Sequence, residues 1–385
     1  MHFHAYEMIL KFFSAVIPAV ALLLLSSCGG RTGATATPES GREIEMRHAR
    51  NISMSELDDG VTLVSLRNPW DTTRNMARYA LVEKGHDAPG ILPEGTLVIN
   101  VPLERSVVYS AVHVALLDEL GAGAAVNGVC DAAFINDTTV KAALKAGRIA
   151  DCGSNQTPNI ELIVSLRPEA ILLSPYEQTD EVARYARTGI NVVQTAEYME
   201  ATPLARAEWL RFYGRLYGRA EKADSLFEAV ESNYLQLRLA AARSDRRPTV
   251  IFDRIYSGTW DVPTSNSVTG RFIEDAGGAN PFASYTQSGS ARLAPEEVFY
   301  KGKDADIWLV RHYEPSMTLS ALGKENKMYP RFKAYAEGNV FGANTVEVPI
   351  FEDAAFHPDR ILREMIRILH PDIERTPTVY YKKLN

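Results

Sequence analysis

The sequence predicts an α/β protein of two similar lobes, each built on a central sheet, joined by a single long α-helix. The first observation is a repeat: PNIELIVSLRPEAILL (Pro158–Leu173) matches APEEVFYKGKDADIWLV (Ala294–Val310) in design. Each reads as a short helix with an early glutamate, a basic turn and an apolar strand. The second observation is a long proline-free helical stretch between the two copies. Two similar lobes imply a cleft between them, and such clefts hold ligands.

Each copy of the repeat has residues that suit its predicted elements. The early acids, Glu161 and Glu296, and the nearby prolines favour a first helical turn, where N–H groups are free and the dipole is positive. The strands Ala170–Leu173 and Ile307–Val310 are apolar without alternation. That pattern is typical of strands covered on both faces of a sheet.

The repeat extends upstream in both lobes. In the first lobe a strand, Ser106–Ser110, leads into a helix, Ala111–Leu120, and then GAGAAV. In the second, Thr249–Arg254 leads through a loop to a helix, Ser267–Ala276, and then GGANPF. Strand, helix and glycine-rich stop therefore recur in the same order.

The N-terminal residues predict export and a lipid anchor. Lys11 precedes the apolar run Phe12–Leu25, which has the proportions of a signal peptide and is short for a transmembrane helix. LLSSC resembles the bacterial lipobox, which implies a signal peptide over residues 1–27 and a lipid on Cys28 in the periplasm. The alternative is a plain signal peptide with an incidental cysteine. Residues 28–60 are predicted to be an exposed tether.

The N-terminal lobe is assigned to residues 61–205, with an extra hairpin over 61–90. Its helix before the last strand stops at Gly189. Beyond the repeat, its predicted elements are the hairpin strands Val61–Leu66 and Tyr79–Glu83, a first strand of the lobe proper at Leu97–Val101, the helix Asp180–Arg187 and the strand Ile190–Gln194.

Residues 206–245 are predicted to be the connector between the lobes. Ala220–Ala242 has helix formers and apolar residues at helical spacing, so one helix would span roughly 35 Å. Two shorter helices on one lobe are the alternative. The C-terminal lobe is assigned to residues 246–385 and ends with a helix that Pro358 begins and Pro371 stops.

Composition and motifs exclude several classes of function. A net charge of −7 disfavours nucleic-acid binding, which needs a basic surplus. The sequence has no GxSxG, HExxH or P-loop motif, so neither an enzyme nor a cofactor is expected. Direct metal capture is also disfavoured, because no HxH or HxxxH cluster occurs among the histidines that follow the signal peptide, namely His48, His86, His113, His312, His357 and His370.

Two cysteines remain after Cys28. Cys130 and Cys152 each follow a short apolar run, so their strand ends could be adjacent. In an oxidising compartment such a pair predicts a disulfide. Buried thiols are the alternative.

The order and spacing of these pieces resemble the class III periplasmic substrate-binding proteins of ABC importers. The matching pieces are SVVYS…LLDELGA, NIELIVSLRPEAILL, TGINVV, the long connector, WDVPTSNSVTGRFIEDAGGANPF, APEEVF and HPDRILREMIRILHP, over roughly Gly95 to Pro371. GVCD, DCG and EYMEATPLARAEW resemble a subgroup common in Bacteroidota. The resemblance implies two Rossmann-like lobes, a rigid connecting helix and a shallow ligand groove.

The resemblance also implies partners. A monomer, anchored to the membrane by lipid, would deliver cargo to a permease and ATPase complex. An iron chelate, ferric siderophore or haem, is the first expectation for that cargo, and cobalamin is the alternative. A bare-metal receptor and a structural lipoprotein are less favoured.

Glu161 and Glu296 match the surface glutamates with which the family docks to permease arginines. Carboxylates on two rigid lobes would fix the orientation of docking. Their alternative role is to complement the helix dipole, and Glu297 is an alternative to Glu296.

Residues that follow strand ends should face the groove, since open α/β sheets bind ligands there. Aromatic rings could stack on a flat chelate, and Arg311 could pair with its negative charge. The predicted ligand-binding residues are Tyr109, Asp131, Phe134, Tyr176 and Glu177 in the first lobe and Tyr256, Trp260, Arg311, His312 and Tyr313 in the second.

Overall fold

The computed structural model describes residues 41–57, 60–176, 181–185 and 187–385. Cys28, the predicted signal peptide and Glu177 lie outside these ranges. Within them, no helix is both long enough and apolar enough to cross a membrane. The described chain belongs to one compact unit, Pro38–Asn385.

A five-stranded sheet precedes the first lobe. Its first four strands are antiparallel neighbours, which confirms the predicted hairpin, and the fifth pairs parallel to the fourth. The predicted strand Leu97–Val101 therefore exists but belongs to this sheet and not to the lobe. In chain order the strands are β1 (Arg42–Ile44), β2 (Ile52–Leu57), β3 (Val61–Arg67), β4 (Asn75–Glu83) and β5 (Thr96–Val101).

The predicted tether is wrong for residues 41–57, which form β1, β2 and the turn between them. Ile44, Ile52 and Met54 are buried in the core that the sheet shares with the first lobe. Alternate apolar residues on β2 point to one face, and pairing with β3 brings that face inward.

Two buried carboxylates hold the turn between β1 and β2. Glu208 accepts hydrogen bonds from the backbone N–H groups of residues 47, 48 and 49 at 2.8, 2.8 and 2.7 Å. Glu200 accepts from the N–H groups of Arg50 and Asn51. Five consecutive N–H groups, which no strand partner satisfies, therefore find acceptors about 150 residues downstream.

The first lobe is built on a parallel sheet of order β10-β9-β6-β7-β8. The hydroxyl of Tyr79, on β4, accepts from the N–H of Gln194 at 2.9 Å and so satisfies a group on the edge strand β10. The elements are β6 (Ser106–Val108), α1 (Ala111–Glu119), β7 (Val126–Val129), α2 (Thr138–Lys145), β8 (Ala150–Asp151), α3 (Ile160–Ser165), β9 (Ala170–Leu173), α4 (Glu181–Tyr185) and β10 (Asn191–Gln194).

One continuous helix connects the lobes, as predicted. After α5 (Pro203–Ala207) and α6 (Leu210–Leu216), α7 (Ala220–Ala241) has 22 residues and a length of about 33 Å. Its buried residues reach both cores: Phe227 packs in the first, and Tyr234 and Ala241 pack in the second.

The second lobe repeats the parallel design on a smaller scale. Its sheet has the order β11-β14-β15-β16, with only β16 antiparallel, and β12 and β13 form a separate antiparallel pair. The elements are β11 (Val250–Phe252), β12 (Trp260–Pro263), α8 (Val268–Asp275), β13 (Ser290–Leu293), α9 (Pro295–Gly302), β14 (Ile307–His312), α10 (Leu319–Glu325), α11 (Lys333–Ala336), β15 (Val340–Asn344), α12 (Ile350–Phe356), α13 (Pro358–Leu369) and β16 (Lys382–Lys383).

A helix pair forms a second contact between the lobes. α12 packs against α1, and its Phe356 is buried in the first core against His113 and Tyr213. At the far end of α1, Glu119 contacts the imidazole of His357 at 2.6 Å. The lobes are thus held together at α7 and again at α1 and α12.

Candidate ligand-binding cleft

A cavity of about 500 Å³ lies where the two lobes meet. Most of its walls are residues that follow strand ends: those after β6, β7, β8 and β9 in the first lobe, and those after β14 and β15 in the second. The first turn of α12 completes the lining. Parallel strands end at a common edge, so both sheets present their carboxyl edges to this space. Open α/β sheets bind ligands at that edge.

Aromatic side chains from both lobes line the cavity, and four of them, Tyr109, Phe134, Tyr176 and Tyr313, are among the residues predicted to bind ligand. Phe134 and Tyr313 are 68% and 65% exposed, so large apolar faces are open to a ligand. Tyr109 differs, since it is buried and its hydroxyl bonds to that of Tyr185. Burial and then this hydrogen bond raise the pKa of Tyr109, so it faces the cavity as a neutral phenol.

Asp131, another residue predicted to bind ligand, also lines the cavity, and its backbone is unusual. It follows β7 with φ of 52°, in the left-handed region that non-glycine residues rarely adopt. Its N–H donates to the carbonyl of Gly153 at 2.8 Å, and its carboxylate accepts from the N–H of Asn155 at 3.2 Å. Loops after β7 and β8 therefore support each other beside the cavity.

Several residues that line the cavity were not predicted from the sequence. Thr345 follows β15, and Phe351 and Glu352 come from the first turn of α12. A strand at VFGAN, residues 340–344, was not predicted, although its apolar run was the available signal. Asn136, Asn155 and Ser174 also line the cavity and follow the strand ends that were recognised.

A polar recess adjoins the cavity in the second lobe, and Tyr313 lines both spaces. Tyr256 and Arg311, both predicted ligand residues, lie in this recess and not in the main cavity. The guanidinium of Arg311 already pairs with Asp253, to which its Nε donates at 2.9 Å. Arg311 also lies over the ring of Phe351, 5.9 Å from its centroid.

Trp260 and His312 are placed differently from the prediction. Trp260 begins β12, is fully buried, stacks on Trp308 and donates to the carbonyl of Phe252 at 2.8 Å. His312 is also buried, with its ring against Gly342, where a Cβ would approach Nε2 within 3.2 Å. Both are core residues because the side chains of a buried strand alternate between its two covered faces.

The predicted disulfide is absent, because the structure has Cys130 and Cys152 as separate buried thiols. The two residues end neighbouring parallel strands, β7 and β8, whose register would place them side by side. Strand spacing of about 4.8 Å keeps such Cβ atoms farther apart than the 3.8 Å typical of a disulfide. The sulfur of Cys152 instead lies near Gly128 and the carbonyl of Ala150.

Two histidines of the described chain contact carboxylates. His113 contacts the buried carboxylate of Glu197 at 2.9 Å, and His48 contacts Glu231 at 2.5 Å. Across the described ranges, no three histidine, cysteine, aspartate or glutamate side chains are grouped so that they could hold a metal ion.

Glu161 and Glu296 are exposed in the first turns of α3 and α9. The neighbouring Glu297 accepts a hydrogen bond from the hydroxyl of Tyr285. No comparable bond or ion pair ties the carboxylate of Glu161 or Glu296 to the rest of the described residues.

Comparison with known proteins agrees with this architecture. Residues 107–345 match the family described as periplasmic binding protein. An uncharacterized lipoprotein of Methanocaldococcus jannaschii is 28% identical over 91% of this chain and 88% of its own. A cobalamin-binding protein of Halobacterium salinarum is 26% identical over 70% of this chain and 72% of its own.

Solved structures share the fold. A periplasmic heme binding protein from Pseudomonas aeruginosa superimposes with a TM-score of 0.58 at 16% identity, over 74% of this chain and 98% of its own. The family match covers the parallel sheet of the first lobe, the connector and the second lobe through β15. The chain therefore belongs to the periplasmic binding protein family, whose members bind substrates for ABC importers.

Proposed function

We propose that this chain is a lipid-anchored receptor that captures a metal chelate in the cleft and delivers it to an ABC permease. The observation that carries the proposal is the position of the aromatic walls. Phe134 and Tyr176 come from one lobe and Tyr313 and Phe351 from the other, all at the carboxyl edges of the sheets. Rings on opposite walls suit a large, flat ligand that is held between them.

Cobalamin is the cargo that we favour, which reverses the order expected from the sequence. A relative at 26% identity is named as a cobalamin-binding protein, whereas the structural likeness to the haem-binding protein concerns the fold alone. The lining also suits a corrinoid chemically. Asn136, Asn155 and Ser174 offer neutral donors and acceptors that match the amide side chains of a corrin ring.

The test is a calorimetric titration of the full chain, purified in detergent, with cyanocobalamin, haemin and ferric siderophores. We expect one-to-one binding of cyanocobalamin with a submicromolar Kd. Selective binding of haemin or a ferric siderophore would return the cargo to the iron chelates. A folded protein that binds none of them would refute the receptor proposal.

The anchor is proposed to be a lipid on Cys28, as the resemblance to a lipobox implies. The name of the relative from Methanocaldococcus jannaschii, a lipoprotein, supports this proposal. Docking to the permease is assigned to Glu161 and Glu296. Their helices precede β9 and β14 by short turns, so each helix runs back along its sheet and its first turn lies at the carboxyl edge, where the cleft opens.

A further inference from the structure

We propose that the cleft selects chelates without net negative charge, and that Glu352 is the residue that sets this selectivity. The inference rests on the proposed function and names the class of chelate that the same site accepts. It narrows the cargo to uncharged or cationic chelates, such as corrinoids and ferric hydroxamates. Chelates with several exposed carboxylates or catecholates would be rejected.

The charges that face the main cavity are all of one sign. Among the described lining residues, Asp131 and Glu352 are the charged members, and no lysine, arginine or histidine accompanies them. The four residues after Tyr176, which lie outside the described ranges, contain no basic residue in the sequence. A negatively charged ligand would therefore meet carboxylates from both lobes with no compensating cation.

The neighbouring recess does not supply the missing cation. Arg254 contacts Glu314 at 2.6 Å and also pairs with Glu325. Arg311 is paired with Asp253. With Asp261, four carboxylates in this recess face two guanidinium groups, so its net charge is also negative. An anionic ligand could recruit either arginine only by breaking an ion pair that is already made.

Glu352 is distinguished from the other carboxylates by its lack of a partner. Asp131 accepts from the N–H of Asn155, and Asp353 pairs with Arg360 at 2.8 Å. Within the described chain, the carboxylate of Glu352 interacts favourably only with its own backbone N–H. Burial raises the pKa of Glu352, as expected for a carboxylate that is drawn from water without a cation.

A half-buried carboxylate in this position discriminates between ligands in two ways. It accepts a hydrogen bond from an amide or ammonium group of a bound ligand, which stabilises the complex. It repels a ligand carboxylate in the same place, where no donor is available. Changing one amide of the ligand to a carboxylate therefore replaces an attraction by a repulsion.

The test uses ligands that differ in one charge and keep the same size. The full chain in detergent is titrated with cyanocobalamin and with each of its monocarboxylic acid derivatives, in which one amide is hydrolysed. A neutral ferric trishydroxamate and a trianionic ferric triscatecholate form the iron arm. We expect the wild type to bind the uncharged member of at least one arm about tenfold or more tightly than the anionic member.

Substitutions then assign the effect to one residue. Glu352→Gln should reduce the preference to less than about threefold, and Glu352→Lys should reverse it. Glu347→Gln is the matched control, because Glu347 is exposed, lies five positions earlier and does not line the cavity; it should leave the preference intact. Circular dichroism melting of each variant shows whether it is folded.

The outcomes separate this inference from the proposed function. Chelate binding by the wild type with no preference for the uncharged member would overturn the charge selectivity and leave the receptor function standing. A preference that survives in both Glu352 variants would overturn the role of Glu352. If no member of either arm binds to the folded wild type, the receptor function fails and the selectivity fails with it.

Discussion

At the residue scale, buried carboxylates join distant parts of the chain by accepting hydrogen bonds from backbone N–H groups. Glu208 is fully buried and accepts three backbone N–H groups from the turn between β1 and β2. Glu200 adds two more N–H groups of that turn and the indole N–H of Trp209. Removing such an acceptor leaves buried donors without partners, which costs about 1–3 kcal/mol for each donor.

We expect Glu208→Ala to lower the free energy of unfolding by about 3–5 kcal/mol, because three backbone N–H groups lose an acceptor that is fully buried. Chemical denaturation measures the loss, and hydrogen exchange should accelerate at residues 47–49 first. Glu228→Ala on the exposed face of α7 is the control and should change stability by less than about 0.5 kcal/mol. Unchanged exchange at residues 47–49 would contradict the assigned role.

At the element scale, the pair of α1 and α12 links the floor of the cleft to the contact between the lobes. The first residues of both helices line the cavity, and their other ends meet at Glu119 and His357. Burial raises the pKa of Glu119, but the hydrogen bond and charge of His357 and the guanidinium of Arg360 outweigh it. The pKa of Glu119 is therefore held below its usual value.

The depressed pKa predicts an acid-sensitive contact. Its stabilisation is complete above the unfolded pKa of about 4.3 and is lost as the pH falls through the lower folded value, where Glu119 becomes protonated. We expect Glu119→Gln to melt about 1–2 °C below the wild type at pH 7, and we expect this difference to shrink as the pH falls below about 4.3. A difference that does not shrink on acidification would contradict this linkage. Glu221→Gln, at an exposed site on α7, is the control.

At the scale of the whole molecule, the two lobes and two contacts between them give a frame that holds Glu161 and Glu296 at fixed positions. Under the proposed docking role, a permease would recognise the spacing of these two carboxylates. The bond from Tyr285 to Glu297 leaves Glu296 as the better docking residue of that pair. The rigid frame also predicts that loss of docking leaves the cleft unchanged.

We expect the double variant Glu161→Ala and Glu296→Ala to keep the Kd for its ligand and to lose about tenfold or more of its stimulation of the permease ATPase, because it lacks both carboxylates proposed to pair with permease arginines. Glu221→Ala combined with Glu228→Ala removes the same charge from α7 and should leave stimulation intact. Loss of ligand affinity in the docking variant would place these glutamates in the cleft and contradict the proposed orientation.

The two lobes could be predicted from the sequence, whereas parts of the candidate site could not. The repeat predicted β9 and β14 nearly to the residue, because uninterrupted apolar runs favour buried strands. Helix formers at helical spacing did the same for α7. Residues 41–57 were wrongly predicted to be a tether, because β2 within them is short and half polar. Its apolar face becomes buried only when β2 pairs with β3. Trp260 and His312 were misassigned because which face of a strand a side chain takes depends on its neighbours. Glu352 was missed with the strand that precedes α12.

The hydrogen bonds that Glu208 and Glu200 accept from residues 47–51 also determine which part of the molecule would bear a mechanical force applied to the N-terminal chain. These hydrogen bonds join that segment to the start of the connecting segment, around α5 and Trp209. They do not join it to any residue that lines the cleft. With the proposed lipid on Cys28, tension from the membrane would therefore strain these bonds before it could separate the lobes. The proposed anchor could then bear load while the cleft keeps its shape.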